Sequence, residues 1–493
     1  MTATRREFLS LAGLAGAATL LASCAPVDPV GRARAALVGG GEWPSPWPSA
    51  DDPARKALNR LTFGPRPEEL ARAGGLGLVG WIEEQLAPTR IDDRDADLRV
   101  RRFDTLTLDP SLLAEVRPET ARRELQAAAL LRAVYSKRQL YELLVEFWGD
   151  HFNISNQKGD CAWLKTIDDR EVVRPHALGK FRDLLWASMR SPAMLVYLDN
   201  QENHAGSPNE NYARELLELH TLGVDAGYTQ RDVQEVARCL TGWTIDLHRR
   251  RGRWAFDPAR HDDGAKVVLG RTIPAGGGQR DAEDVRDLLL AHPALPTFVA
   301  RKLARRFVAD DPPPALVTAT AATFARSDGD IAATLRTLLL APEFAAAPPK
   351  AKRPLHLVAG ALRQIGAGTD GGQPLLDHLA AMGQPLFAWL TPDGYPDTAA
   401  AWSGGLLARW QFALALATDA IPGTRVDLRG LRERAGAAGT RDLLDRGATL
   451  LTGAPLAPDA TAALVGLLPS GGDEATVRSV LAVLLAAPGY WWR

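Results

Sequence analysis

The sequence predicts a mainly α fold, a multi-helical globular body with one small β-hairpin insertion, and three observations predict it. Apolar residues recur at helical spacing through most of the chain after Asp51. Strand signals are confined to one short region near residues 254–269. The composition, 46% hydrophobic and 24% charged, is that of a chain able to bury a core. With 58 basic against 59 acidic side chains the net charge is −1, so no cation excess is available to neutralise phosphates. Nucleic-acid binding is therefore not expected.

The N-terminus reads as an address. Thr4-Arg5-Arg6-Glu7-Phe8-Leu9 matches a Tat-type export signal, and the apolar stretch from Leu9 to Leu21 follows it. That stretch is too short for the ~30 Å hydrocarbon core of a bilayer at about 1.5 Å per residue. Leu21-Ala22-Ser23-Cys24 then reads as a lipobox, with Cys24 the lipidated residue of an exported, membrane-anchored or secreted envelope protein. Residues 25–50, rich in Pro and Gly, form a tether that does not pack as regular structure. The helical body spans 51–493, with loop-rich stretches at 366–373 and 391–398 marking a candidate C-terminal helical subdomain from about 370. Cys161 and Cys239 make no disulfide framework at this size and read as separate small apolar side chains.

Within the body, Glu119 to His151 is nearly continuous in helical pattern and free of proline. Further helices are expected at 208–222, 229–242, 281–291, 296–309, 330–340, 354–365, 400–418 and 473–486. The hairpin is expected between Trp254-Ala255-Phe256 and Val267-Val268-Leu269, across the turn-rich His261-Asp262-Asp263-Gly264.

The side chains that chemistry uses concentrate between His151 and Asp262. On a helical wheel of 208–222, Glu210, Asn211, Arg214, Glu215, Glu218 and Thr221 share a polar arc. His220 falls in the apolar arc opposite, so Glu218 and His220 cannot share a metal ion. No Glu-x-x-His or His-x-x-x-His pair occurs there, and no metal or cofactor is assigned. The polar arc reads either as a solvated face with an Arg214–Glu218 pair or as the wall of a ligand pocket. Asn200, Asn203, Asn209 and Asn211 favour the wall, since asparagine competes with helix hydrogen bonds. Asn153, Asp199, His220, Asp232, Arg238 and Asp262 complete the candidate pocket, and Glu215, Glu218, His151 and His261 are the candidate acid–base groups. The bland alternatives are a buried His220, a Thr229–Asp232 capping box and an Arg238–Glu235 ion pair.

These residues resemble a known family. Asn209 to Gly223, with Tyr228-Thr229-Gln230-x-Asp232-Val233 and Arg238-x-Leu240-Thr241-Gly242-Trp243, is similar to the bacterial domain of unknown function 1800 family. Phe147-Trp148, His151-Phe152-Asn153, His261-Asp262-x-Gly264-x-Lys266 and Gly383-Gln384-Pro385-Leu386-Phe387 also match; Gly394-Tyr395-Pro396 departs, where relatives usually carry tryptophan after the glycine. The resemblance implies an exported, helix-rich protein and a possible partner of the domain of unknown function 1501 family, itself similar to alkaline-phosphatase-like hydrolases. It implies no activity. Two functions follow: a lipid-anchored protein whose polar pocket binds or processes a polar envelope substrate, or a non-catalytic accessory protein for the hydrolase-like partner.

Overall fold

Proline and polar capping residues set most helix starts in the computed structural model, which describes residues 53–246, 251–436 and 439–493. The export signal with Cys24 and the 25–50 tether lie outside the described residues. The first layer comprises α1 (Pro53–Leu61), α2 (Pro67–Gln85), α3 (Pro118–Tyr135) and α4 (Gln139–His151). The long helical pattern thus divides in two. Ser136 leaves helical geometry at ψ 140, and its hydroxyl donates to Asp93 at 2.7 Å. Gln139, fully buried, then staples the corner: its amide donates to Ala133 O and Ser136 O while its carbonyl accepts from Phe63 N. Apolar periodicity survives such a corner, which is why the sequence pattern alone does not reveal it.

The middle of the chain contains two places where the helical bonding widens. α5 (Cys161–Asp168) runs into a π-turn over Asp169–Val173. After α6 (Phe181–Met189), α7 (Glu210–Glu215) runs into a second over Leu216–Thr221. There Leu222 N donates to Leu217 O and the Thr221 hydroxyl donates to Leu216 O, both five residues back. α8 (Gln230–Cys239) follows, opened by the reciprocal Thr229–Asp232 cap.

The expected single hairpin is corrected to two. β1 (Trp243–Asp246) pairs antiparallel with β2 (Arg253–Phe256), and β3 (Lys266–Val268) with β4 (Arg271–Ile273). Trp254–Phe256 therefore pairs backward in the chain and Val267–Val268 forward, and His261–Gly264 links the two hairpins. Leu269 and Gly270 both take positive φ, 50 and 75, the geometry of a tight two-residue turn. Neighbouring segments close a short loop at less entropic cost than the longer one the sequence pattern implied. The small β content is thus hairpin insertions on a mainly α body.

The remaining labelled helices are α9 (Arg280–Ala291), α10 (Ala294–Phe307), α11 (Pro354–Ile365), α12 (Leu406–Ala417), α13 (Thr440–Thr452) and α14 (Glu474–Ala486). The 400–418 pattern breaks at Gly405, which takes φ 73. A third, two-residue ladder joins β5 (Gly368–Thr369) to β6 (Thr424–Arg425). α11 is buried along its whole length and forms the central axis. Gly360 lies so close to Phe63 that an added Cβ would sit 2.6 Å from the Phe63 carbonyl oxygen. The apolar core runs without interruption from Ala57 to Tyr490. Among the described residues no helix is long and apolar enough to cross a membrane.

Gln139→Ala orphans a buried N–H and two carbonyls at the α3–α4 corner and is expected to cost roughly 2–4 kcal/mol. Urea denaturation checks this; an unchanged midpoint would mean the corner holds without its staple.

Candidate functional site

The polar segment between residues 199 and 262 is held together by its own side chains. Asn200 donates to Leu240 O and Trp243 O, at 3.2 and 3.0 Å. Asn203 donates to Ala237 O and to the Asn200 carbonyl, and accepts from Asn209 N. Asn209 caps α7 by accepting from Asn211 N, and the Asn211 amide reaches Leu198 O. Each asparagine therefore ties an irregular stretch to a neighbouring backbone, which a charged or apolar side chain of that size would not do. Asp199 sits at φ 59 and accepts from Lys158 at 2.6 Å.

The wheel's Arg214–Glu218 pair does not form. Arg214 bonds Glu210 and Gln230, each at 3.0 Å, because the widened turn from Leu216 carries Glu218 away from the spacing an ordinary helix gives. Glu218 instead faces the Tyr228 hydroxyl at 3.5 Å. Glu215 is half-buried, and burial followed by repulsion from Glu218 holds its carboxyl above the ordinary value. Arg238 forks onto Asp262 at 2.8 and 3.0 Å and also bonds Glu235 at 2.8 Å. Asp232 caps α8 and accepts from Leu269 N, fixing the second hairpin. His261 donates from Nδ1 to Thr241 O at 2.8 Å and faces Asp281 through Nε2 at 3.2 Å; Lys266 also bonds that carboxylate.

His151 and His220 meet inside an aromatic nest of Phe147, Trp148, Phe152, Phe181 and Phe298. His151 donates from Nε2 to the His220 carbonyl at 3.0 Å. His220 is buried, and among the described residues neither of its ring nitrogens has a hydrogen-bond partner. Burial pushes His220 down to about 3 and His151 well below its ordinary value.

A second constellation, which sequence reasoning missed, surrounds Glu146. This residue and Asp150 lie one turn apart on α4. Arg306 of α10 bonds both Glu146 and Asp397, the latter at 2.6 Å. Arg353, just before α11, bonds Asp150 at 2.6 Å and stands 3.6 Å from Glu146. His356 adds a bond to Glu146 at 2.7 Å. The two carboxyls part in their proton affinity. Burial raises Asp150 to about 6 against the opposing pull of Arg353. Glu146 is equally buried, yet Arg306, His356 and Arg353 together hold it well below the carboxylate range.

Gly394 (φ 73) brings the 391–398 loop against this end of α4, where an added Cβ would lie 2.2 Å from the Asp150 carbonyl oxygen. Asn153 secures the same loop by donating to Trp389 O and Thr391 O. Tyr395 follows Gly394 in this loop. Its hydroxyl donates to Pro385 O and its ring meets Trp389 at 4.9 Å.

A cavity of about 50 Å³ lies beside the pair, lined by Glu142, Glu146, Asp150, Asn153, Asp169 and Arg174 among others. Its far wall is a further buried ion cluster, in which Arg174 forks onto Glu142 and also bonds Asp169. The π-turn at Asp169–Val173 places that wall. The space takes about three or four waters, far below the roughly 300–1,000 Å³ of a pocket for a drug-sized ligand. Of the sequence-predicted residues only Asn153 lines it. Among the described residues no group of three or more His, Cys, Asp or Glu is placed to hold a metal ion. The residues that build this site carried one legible signal, the carboxylates Glu142, Glu146 and Asp150 spaced one turn apart on one helix; the cationic partners of the last two lie more than 150 residues away.

Glu146→Gln removes the shared counter-charge of two buried guanidinium groups and is expected to cost about 3–5 kcal/mol by denaturant titration. The pH dependence has a definite sign. His151, His220 and His356 are depressed by burial, the last two to about 3. Their stabilising contribution is complete above about pH 6.5 and is lost as pH falls toward 3. Asp150 acts oppositely, its contribution fading as pH rises from about 4 to 6. Glu215, also raised, acts with Asp150, whereas Glu146, held low, acts with the three imidazoles, so the unfolding midpoint should fall on acidification below pH 6.5. A midpoint that stays level or climbs would contradict the burial of these imidazoles.

No curated protein and no solved structure matches the chain. The family model described as Protein of unknown function (DUF1800) matches residues 56–492, nearly the whole sequence. The chain belongs to the DUF1800 family of proteins of unknown function.

Proposed function

We propose that this is an exported, lipid-anchored accessory or assembly protein of the cell envelope, working beside a hydrolase-like partner of the domain of unknown function 1501 family. One observation carries this reading: the polar side chains of the central segment are spent on internal bonds. The asparagines, Arg214, Asp232, Arg238, His261 and Asp262 all serve as ties between elements. Such a network fixes one arrangement of irregular loops and leaves few groups for a substrate. An exposed apolar stripe, Leu407, Trp410 and Leu414 on the outer face of α12, supports a role in association. The Tat-type address and Cys24 supply the location in this proposal.

A second reading, the binding or processing of a polar envelope substrate, is favoured by specific carboxyls. Asp150 has a proton affinity poised near neutrality beside a small cavity, and Glu215 is raised with Glu218 nearby.

Co-expression of the full chain with a hydrolase-like protein of the domain of unknown function 1501 family tests the first reading. The two should co-purify, and Trp410→Glu should weaken their association at least tenfold without lowering the melting temperature. Separate migration of the two proteins refutes it. Glu215→Gln and Glu218→Gln should leave folding and envelope phenotype intact; a folded Glu215→Gln or Asp150→Asn protein that loses the phenotype transfers the case to substrate processing.

A further inference from the structure

Three cations are buried together at the C-terminal edge of the fold, and among the described residues no acid opposes the charge of two of them, Lys352 and Arg409. Lys352, Arg409 and Arg493 retain 4%, 3% and 8% of their exposure. Two short segments bring them together. Lys350 N donates to Arg493 O, Arg493 N to Lys350 O, and Lys352 N to Trp491 O. The Lys352 ammonium lies 3.7 Å from the Tyr490 ring centroid, and the Arg409 guanidinium 5.0 Å from that of Trp491. Arg409 spends one N–H on Trp402 O. Among the described residues, Arg493 has no hydrogen-bond partner at Nε or Nη1.

The charges around them make the arrangement unusual. Arg493 and Arg409 both repel the Lys352 ammonium, and among the described residues no acid offsets that repulsion at Lys352. Burial alone lowers Arg409. Arg493 feels Arg306 and Arg60 more strongly than it feels Glu146 or Asp397, which are committed to Arg306 and Arg353. Aromatic faces compensate a buried cation only in part. A guanidinium does not escape by losing its proton, so an unpaired buried Arg demands an anion.

We propose that Lys352, Arg409 and Arg493 form a binding site for a compact oxyanion of the phosphate type. Several oxygens on one small centre accept from an ammonium and two guanidinium groups at once, which a monatomic ion does not do. The rings of Tyr490 and Trp491, which cover Lys352 and Arg409, keep water from the contact and so strengthen it. The anion joins the 350–352 segment, α12 and the chain's last residues, clamping the edge on which α12 presents its apolar stripe.

The test uses the intact exported protein, with inorganic phosphate, sulfate and glycerol phosphate as separate arms and chloride at matched ionic strength as reference. Calorimetry should give saturable binding of phosphate, and the melting temperature should rise with it. Saturation by glycerol phosphate as well assigns the site to a phosphate group carried on a larger molecule; saturation by inorganic phosphate and sulfate alone assigns it to the free ions. Lys352→Met should melt higher than wild type in the absence of anion, because a repelled buried charge is gone, and should lose the response to phosphate. Arg409→Gln provides the same loss of response if the first variant does not fold. Absence of saturable binding to wild type, an equal effect of chloride, or a phosphate response unchanged in both variants overturns the site.

Discussion

A single buried carboxylate, Glu146, constrains the rest of the structure. It sits on α4 in the first third of the chain and is met by Arg306, Arg353 and His356, with the Gln384 amide, all from much later segments. Removing a carboxylate from water costs several kcal/mol unless it is paired and hydrogen-bonded. The packed position of α4 therefore depends on contacts with α10 and the start of α11. Asp397 extends the same requirement to the 391–398 loop, through Arg306 and then through the Lys350 contact with its backbone. The helical body behaves as one unit because its charges, and not only its core, are shared across distant sequence.

The segment richest in chemically capable residues has a structural use that follows from the irregular backbone around it. Between α6 and α8 the chain makes short helical turns, a widened turn and loop corners, each leaving N–H and C=O groups without regular partners. Asparagine supplies both a donor and an acceptor, so Asn200 and Asn203 close several of those gaps from inside. The family pattern around Asn209–Gly223 thus reads as a folding specification, and the same holds for His261, Asp262 and Lys266, which lock the link between the hairpins to α8 and α9.

Two regions keep a chemical surplus after folding. Around Asp150 it is a proton affinity near neutrality beside a space for a few waters. Around Lys352 and Arg409, beside Arg493, it is positive charge that no acid among the described residues offsets. The first lies where α4 meets the loop that carries Tyr395, the second where the chain's end pairs with the approach to α11. Both therefore occupy junctions between early and late segments, where closure of the fold brings like or unlike charges together irrespective of local propensity.

The sequence by itself determined the helical character, because burial of one face imposes a period that every helix repeats. It also determined the Thr229–Asp232 cap, the Arg238–Glu235 contact and the burial of His220, all decided within a few residues. The corner at Ser136, the division into two hairpins and the change of partner for Arg214 were decided by contacts with Asp93, by the tight Leu269-Gly270 turn and by a widened helical turn. Periodicity carries no record of these. The Glu146 network and the Lys352 cluster were decided by tertiary structure alone, since Coulomb energies depend on distances in space that no local pattern encodes.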